Sequence, residues 1–283
     1  PEFESFLKHS PFFNAIEIDA RPDGRPQTVA RDKRLKAAHP ARVYDMVGDS
    51  TSRKLKGLFR FSKCDWLEIL PARRSGAHPV DELAGTLNAA IGLEPTHFRL
   101  GGAPSPDASW VDFLARKSRM LDPEYFGLNG PFALLAPAGE EVKLALRWPK
   151  EKWASLAHEL LQAGITPALV GGPDTREIGR HVAQVAPGAR DITGKAKLPQ
   201  LAGLARRTRF VFGEDTPLLH LLVAAGAPAL ALYAGVEDPA MNAPRGDAPV
   251  ILMHAPVLAQ VEPAEAIAAM RFAGGFSDRI VAA

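Results

Sequence analysis

The sequence carries one cysteine, Cys64, among 283 residues. An intramolecular disulfide and a thiolate metal cluster are thereby excluded, and a reducing compartment is expected. Long apolar runs are missing too: none approaches the roughly 18 residues that would suggest a membrane-spanning helix. The most apolar stretch, Ala224 to Ala234, is interrupted by Gly226 and Pro228 and reads as a helix end followed by a buried strand. No basic start followed by an apolar stretch and a cleavage site opens the chain, so no signal peptide is read and a cytoplasmic protein is expected. The chain opens Pro1-Glu2-Phe3 without Met, as a cloning remnant or the interior of a longer sequence would. No G-x-G-x-x-G follows the first visible strand and there is no P-loop, which argues against an NAD enzyme or an NTPase.

What is present is the composition of a globular protein, 46% apolar and 23% charged. Net charge is only +2, but it is unevenly spread. Arg31, Lys33, Arg34, Lys36, Arg53, Lys54, Lys56, Arg60, Lys63, Arg73 and Arg74 make the first third basic. That patch is either the solvated face of surface helices or a surface for an anionic partner. Nucleic acid is the weakest such partner, because the basic runs lack interleaved aromatics and any binding motif.

Short apolar runs alternate with amphipathic stretches, the pattern of parallel sheets covered by helices. Strands are expected over Ala15–Ile18 and Val43–Val47, and helices over Val80–Ile91 and Asp107–Met120. The breaker-rich stretch Asp122–Pro131 reads as a linker between an N-terminal domain over 1–125 and a C-terminal one over 131–283. In the second domain the rhythm is clean. Strands are expected over Phe132–Ala136, Thr166–Val170, Phe210–Phe212 and Ala229–Tyr233. Helices are expected over Pro149–Ala163, Glu177–Val185, Leu198–Arg206 and Glu262–Met270, with one more opening at Asp215–His220. Doubly wound domains bind ligands at the carboxyl ends of their strands, where this sequence puts Gly171–Asp174, Gly213–Thr216 and Gly235–Pro239. Asp215 or Thr216 at a helix start suits a diphosphate, or serves simply as an N-cap. His220 either reaches a ligand or is a core histidine under Leu219 and Leu222.

Five segments in order carry a resemblance to a known family. Arg147-Trp148-Pro149-Lys150-Glu151-Lys152-Trp153 is similar to "KRWPxExW". Val170-Gly171-Gly172-Pro173-Asp174 resembles "GGPxE", and Asp191 to Leu201 resembles "DLTGKTSLPELA". Phe212 to His220 resembles "FVGNDSGPMH", and Ala229 to Pro239 resembles "PVVALFGPTDP". Ser10–Phe13 and Tyr44–Val47 fit two further segments more loosely. The likeness, over about residues 5–250 and strongest over 131–245, is to glycosyltransferase family 9, the lipopolysaccharide heptosyltransferases.

The resemblance implies an α/β chain of GT-B architecture, two Rossmann-like domains facing each other across a cleft. It implies an inverting transfer of a heptose or related sugar from an ADP-sugar to a lipopolysaccharide-core or similar acceptor, with no obligatory cofactor and no metal. Carried over position by position, Asp215, Thr216 and His220 would face the diphosphate and sugar. Lys195 and Ala196 would lie along the adenine, Asp174 would reach the ribose, and Arg147 would add charge for the leaving diphosphate. The basic N-terminal region would suit an anionic lipid-linked acceptor and peripheral contact with the inner membrane.

Three departures accompany it. The family's opening strand, with the G-D-x-L segment that carries its base, has no counterpart, and the expectation is that residues before Pro1 are missing. The family's glycine after Asp-Ser/Thr is Pro217, and the lysine two residues before Trp-Pro is Leu146. A catalytically degenerate relative, acting as a sugar-nucleotide-binding or interaction module, is therefore the alternative. A GT-B sugar-nucleotide epimerase would need a paired acid and base of its own.

Overall fold

The computed structural model describes residues 7–8, 14–17, 24–69, 78–83, 86, 122–235 and 239–272. The chain divides into two compact units, Pro1–Lys8 with Phe12–Pro104 and His9–Pro11 with Ser105–Ala283.

The first unit contains helix α1 (Arg25–Ala37), strand β1 (Arg42–Asp45), helix α2 (Ser50–Leu58) and strand β2 (Asp65–Glu68). The two strands pair in parallel, Arg42 opposite Asp65 and Asp45 opposite Glu68, so β1, α2 and β2 form one βαβ unit. Helix α2 starts at Asp49, whose carboxylate accepts the Thr51 and Ser52 amides at 2.8 Å each. Part of the basic patch is spent on surface ion pairs, Arg34 with Glu17 and Lys56 with Glu68, and Arg42 of β1 pairs with Asp65 of β2. The strand expected from Ala15 does not form over residues 15–17; a short apolar run becomes a strand only beside a partner for its backbone groups. Residues 79–83 and 86 are helical, in keeping with the helix expected from Val80. The rest of that helix, Ile18, Phe12, Phe13, Arg73, Arg74 and the helix over 107–120 lie outside the described residues.

The second unit is a six-stranded, all-parallel sheet. Its strands are β3 (Phe132–Ala136), β4 (Thr166–Leu169), β5 (Arg190–Asp191), β6 (Val211–Glu214), β7 (Ala229–Ala234) and β8 (Val250–Ala255). Their spatial order is β5-β4-β3-β6-β7-β8, the 3-2-1-4-5-6 order of a dinucleotide-binding fold. The covering helices are α3 (Lys150–Gln162), α4 (Arg176–Val185), α5 (Leu198–Ala205), α6 (Pro217–Ala224) and α7 (Pro263–Phe272).

Strand β3 is buried at every position, which is why Phe132–Ala136 reads as an unbroken apolar run rather than an alternating one. Helix α3 stops at Gly164, whose φ of +73° is left-handed. There the Gly164 amide donates to the Leu161 carbonyl at 3.0 Å and the Ile165 amide to the Leu160 carbonyl at 2.9 Å, the paired bonds of a Schellman ending. The breaker-rich stretch after Asp122 is folded onto this unit. It forms a 3₁₀ turn, Pro123–Phe126. Leu128 is buried, Arg190 Nε donates to the Gly127 carbonyl at 3.2 Å, and Arg207 pairs with Asp122 at 3.1 Å. No helix among the described residues is long and apolar enough to cross a membrane.

Candidate functional site

All six strands of the second sheet run the same way, so their carboxyl ends share one edge. The chain leaves β3 toward β4 and β5 on one side, then returns to lay β6 against the other side of β3. That reversal puts the topological switch point between β3 and β6, the place where doubly wound sheets bind their ligands. Every residue that the family motifs single out lies in a loop or first helical turn at this edge. Arg147 follows β3, Asp174 follows β4, Lys195 and Ala196 follow β5, and Asp215, Thr216 and His220 follow β6.

The Arg147–Trp153 segment shows how an apolar core aims a charged group. Trp148 and Trp153 are fully buried. Their rings meet edge-on at 5.0 Å, and both contact Phe212 of β6, at 5.1 and 5.4 Å. The Trp148 indole N–H donates to the Val261 carbonyl at 3.0 Å. The two tryptophans are thus structural anchors, and Arg147, one residue before the first, is held at the rim. Its Nε is buried with no hydrogen-bond partner among the described residues.

On the β4–β5 side the site is built around glycines. The Asp174 carboxylate occupies the space that a β-carbon on Gly139 or Gly172 would need, which joins the loop after β4 to the loop after β3. The Gly194 amide donates to the Gly171 carbonyl at 2.8 Å, tying the β5 loop to the β4 loop. Gly194 itself has φ +66° and lies under the Arg176 guanidinium. Asp191 closes this turn by accepting both the amide and the hydroxyl of Thr193, at 3.0 and 2.6 Å. Lys195 stays exposed and donates to the Asp191 carbonyl at 2.6 Å, while Ala196 is half-buried.

After β6, Thr216 is the N-cap of α6: its hydroxyl accepts the Leu219 amide at 3.3 Å. Pro217 fits the first helical position but brings no N–H. With the Leu219 amide taken by Thr216, the Leu218 amide remains as the first-turn donor for an anion. His220 is no core histidine. Its side chain is 39% exposed and its Nε2 lies 3.1 Å from Oδ1 of Asp215, itself 41% exposed. Behind them Tyr233 of β7 has its phenol pushed up by burial and by the Asp215 charge, and donates to the Asn242 carbonyl at 3.0 Å. Among the described residues no group of three His, Cys, Asp or Glu side chains is arranged to hold a metal ion.

Glu214 belongs to this site although no motif singled it out. It is the last residue of β6, only 2% exposed. Its carboxylate accepts the Ala138 amide at 2.6 Å and the Trp148 amide at 2.5 Å. Burial pushes its pKa from 4.5 up to about 7, against the pull of the two amides and Arg147. Between those values the native protein holds a proton that the unfolded chain has released. This stabilising contribution is complete below about 4.5 and is lost as pH rises through about 7. Urea unfolding of Glu214→Gln beside the parent should show the variant gaining on the parent from pH 5 to pH 8. A stability difference that does not change with pH would contradict the shift.

A comparison with known proteins gives this edge a context. The model of glycosyltransferase family 9 (heptosyltransferase) matches residues 96–262, more than half of the chain. Lipooligosaccharide heptosyltransferase 2 of Haemophilus influenzae is 29% identical over 119 residues, 40% of this chain and 34% of that protein. Lipopolysaccharide heptosyltransferase 2 of Escherichia coli is 28% identical over 111 residues, 38% and 32% of the two chains. The match thus spans about a third of these relatives' length. Among solved structures, a family 9 glycosyl transferase from Veillonella parvula superposes with a TM-score of 0.71 at 16% identity, covering 99% of this chain and 87% of that one. The E. coli heptosyltransferase WaaC with ADP superposes with a TM-score of 0.72 at 19% identity, covering 94% and 86%. Likeness at this level of identity establishes the fold, which is the α/β GT-B fold. With the ordered motifs folded onto one sheet edge and the family model spanning most of that unit, the chain belongs to glycosyltransferase family 9 (heptosyltransferase).

Proposed function

We propose that the chain is an inverting glycosyltransferase whose C-terminal domain, residues 131–283, binds an ADP-sugar and whose N-terminal domain, residues 1–125, meets the acceptor. Membership of the family supports a transferase. The observation that carries the finer reading is the convergence of Arg147, Asp174, Lys195, Ala196, Asp215, Thr216 and His220 on the carboxyl edge of one parallel sheet. In this reading the acceptor oxygen attacks the anomeric carbon and its bond to the diphosphate breaks. ADP leaves with the electron pair, and the acceptor's proton passes to a carboxylate base that we assign to no residue described here. Arg147 and the Leu218 amide face the negative charge that gathers on the departing diphosphate. Asp174 and the Lys195–Ala196 backbone take the nucleoside. The sugar is a heptose or a relative of it, and the acceptor is a lipopolysaccharide core or a similar anionic lipid-linked glycan met at the membrane face by the basic surface of α1 and α2.

The test is calorimetric titration with ADP, ADP-heptose, UDP and GDP. Saturable binding confined to the adenine ligands supports the donor site, and no binding by a folded chain overturns it. Asp215→Ala and His220→Ala should each weaken ADP-heptose binding by about 10-fold, the value of a hydrogen bond to a charged group, with thermal unfolding unchanged. Loss of folding with affinity retained in the folded fraction would assign the pair a structural role instead.

Pro217 favours a second reading, a sugar-nucleotide-binding module without transfer, because it removes one donor from the first turn of α6. Adenine-specific binding with no sugar release in the presence of a lipopolysaccharide-core acceptor would select it.

A further inference from the structure

Glu214 stands apart from the other polar groups at this edge because it is enclosed, acidic and bonded only to backbone. Its two partners bracket one loop. Oε2 accepts from Ala138, where the chain has just left β3, and Oε1 accepts from Trp148, where the chain turns into α3. A single carboxylate at the end of β6 therefore clasps both ends of the segment 138–148 across the switch point. Arg147 sits inside that clasp, directly beside one of its bonds. A carboxylate suits this task because both oxygens accept, whereas an amide would turn an NH₂ group toward one of the two N–H donors. The arrangement costs stability at neutral pH, as a buried charge does, and it stands at the carboxyl edge of the sheet, where β3 and β6 meet at the switch point.

We propose that Glu214 is a positioning residue for the donor site, fastening the 138–148 loop at both ends and so setting where the Arg147 guanidinium meets the donor's diphosphate. This role rests on the donor-site reading above. Glu214 itself touches no ligand; it acts through Arg147. The two side chains are thus energetically coupled, and removing one makes the other matter less for binding.

The experiment is a double-mutant cycle on ADP affinity at pH 8, using the full chain, with Glu214→Gln, Arg147→Ala and the pair, together with amide exchange over 138–148. Glu214→Gln should weaken ADP by about 10-fold beside Arg147 and by less than about 2-fold in the Arg147→Ala background, a coupling typical of residues in one network. Exchange at Ala138 and Trp148 should quicken. Equal fold losses in both backgrounds, or no loss in either, would overturn the role and leave Glu214 a structural residue. Should Glu214→Gln fail to fold, Glu214→Asp, which keeps the charge but is too short to reach both amides, enters the same cycle with the same expected coupling. A parent chain that binds no ADP overturns the donor-site reading and this role together, whereas binding with additive losses overturns this role alone.

Discussion

Trp148→Ala should destabilise the C-terminal unit by about 3–5 kcal/mol, the range for deleting a large aromatic from a packed core. The side chain is 1% exposed and packs against both Trp153 and Phe212. Its loss opens a cavity between α3 and β6, a place where the sheet backbone on one side and a helix on the other cannot close in. The bond to Val261 disappears as well, although Lys152 Nζ still donates to that carbonyl at 2.8 Å. Urea unfolding followed by circular dichroism measures the change without relying on the tryptophan signal. A loss below about 1 kcal/mol would show that this ring is not the anchor argued here. Trp148→Phe keeps part of the packing, should be destabilised by less than the alanine variant, and provides a folded comparison if the alanine variant does not accumulate.

Arg147→Ala should weaken ADP binding by about 10- to 100-fold, because a hydrogen bond to a charged group contributes about 1.5–3 kcal/mol. Burying a guanidinium Nε without a partner is unfavourable, and Arg147 Nε is buried with none among the described residues. An incoming diphosphate would supply the missing acceptor. Arg147→Lys keeps the charge but loses the planar fork, so it should recover only part of the affinity. Thermal unfolding should stay close to that of the parent, since the neighbouring tryptophans hold the segment. Unchanged ADP affinity in Arg147→Ala would remove Arg147 from the donor site.

The local code of this chain is strong where a single stretch decides its own structure. Phe132–Ala136 forms the strand its apolar run announces. Pro149 and Gly164 bound a helix over Lys150–Gln162, because proline suits a helix start and a left-handed glycine ends it. Thr216 caps α6 as a threonine before Pro217 should. Strands β2 and β5 are different: neither carries a periodic pattern of its own, and each exists because a neighbour offers its backbone groups. Strand β5 has two residues, Arg190 and Asp191, and forms because Ala168 and Leu169 of β4 lie opposite. Strand β8 opens on an apolar run, residues 250–253, like that of β3, and it pairs in parallel with β7.

The candidate site divides the same way. The loops that carry Asp174, Asp215 and Thr216 follow from local pattern and βα alternation, whereas Arg147, Lys195 and Ala196 are marked in the sequence only by the resemblance of their segments to the family motifs. Tertiary structure decided which of them meet. His220 could have been buried or free, and folding set it half-exposed against Asp215. Glu214 looks in sequence like one more acidic loop residue. Its burial raises its pKa against the pull of amides 76 and 66 residues away, and those same amides give it its hold on the β3–α3 loop. Local propensity is written by neighbours along the chain, whereas desolvation and the pairing of a buried charge are set by groups that only the folded sheet brings together.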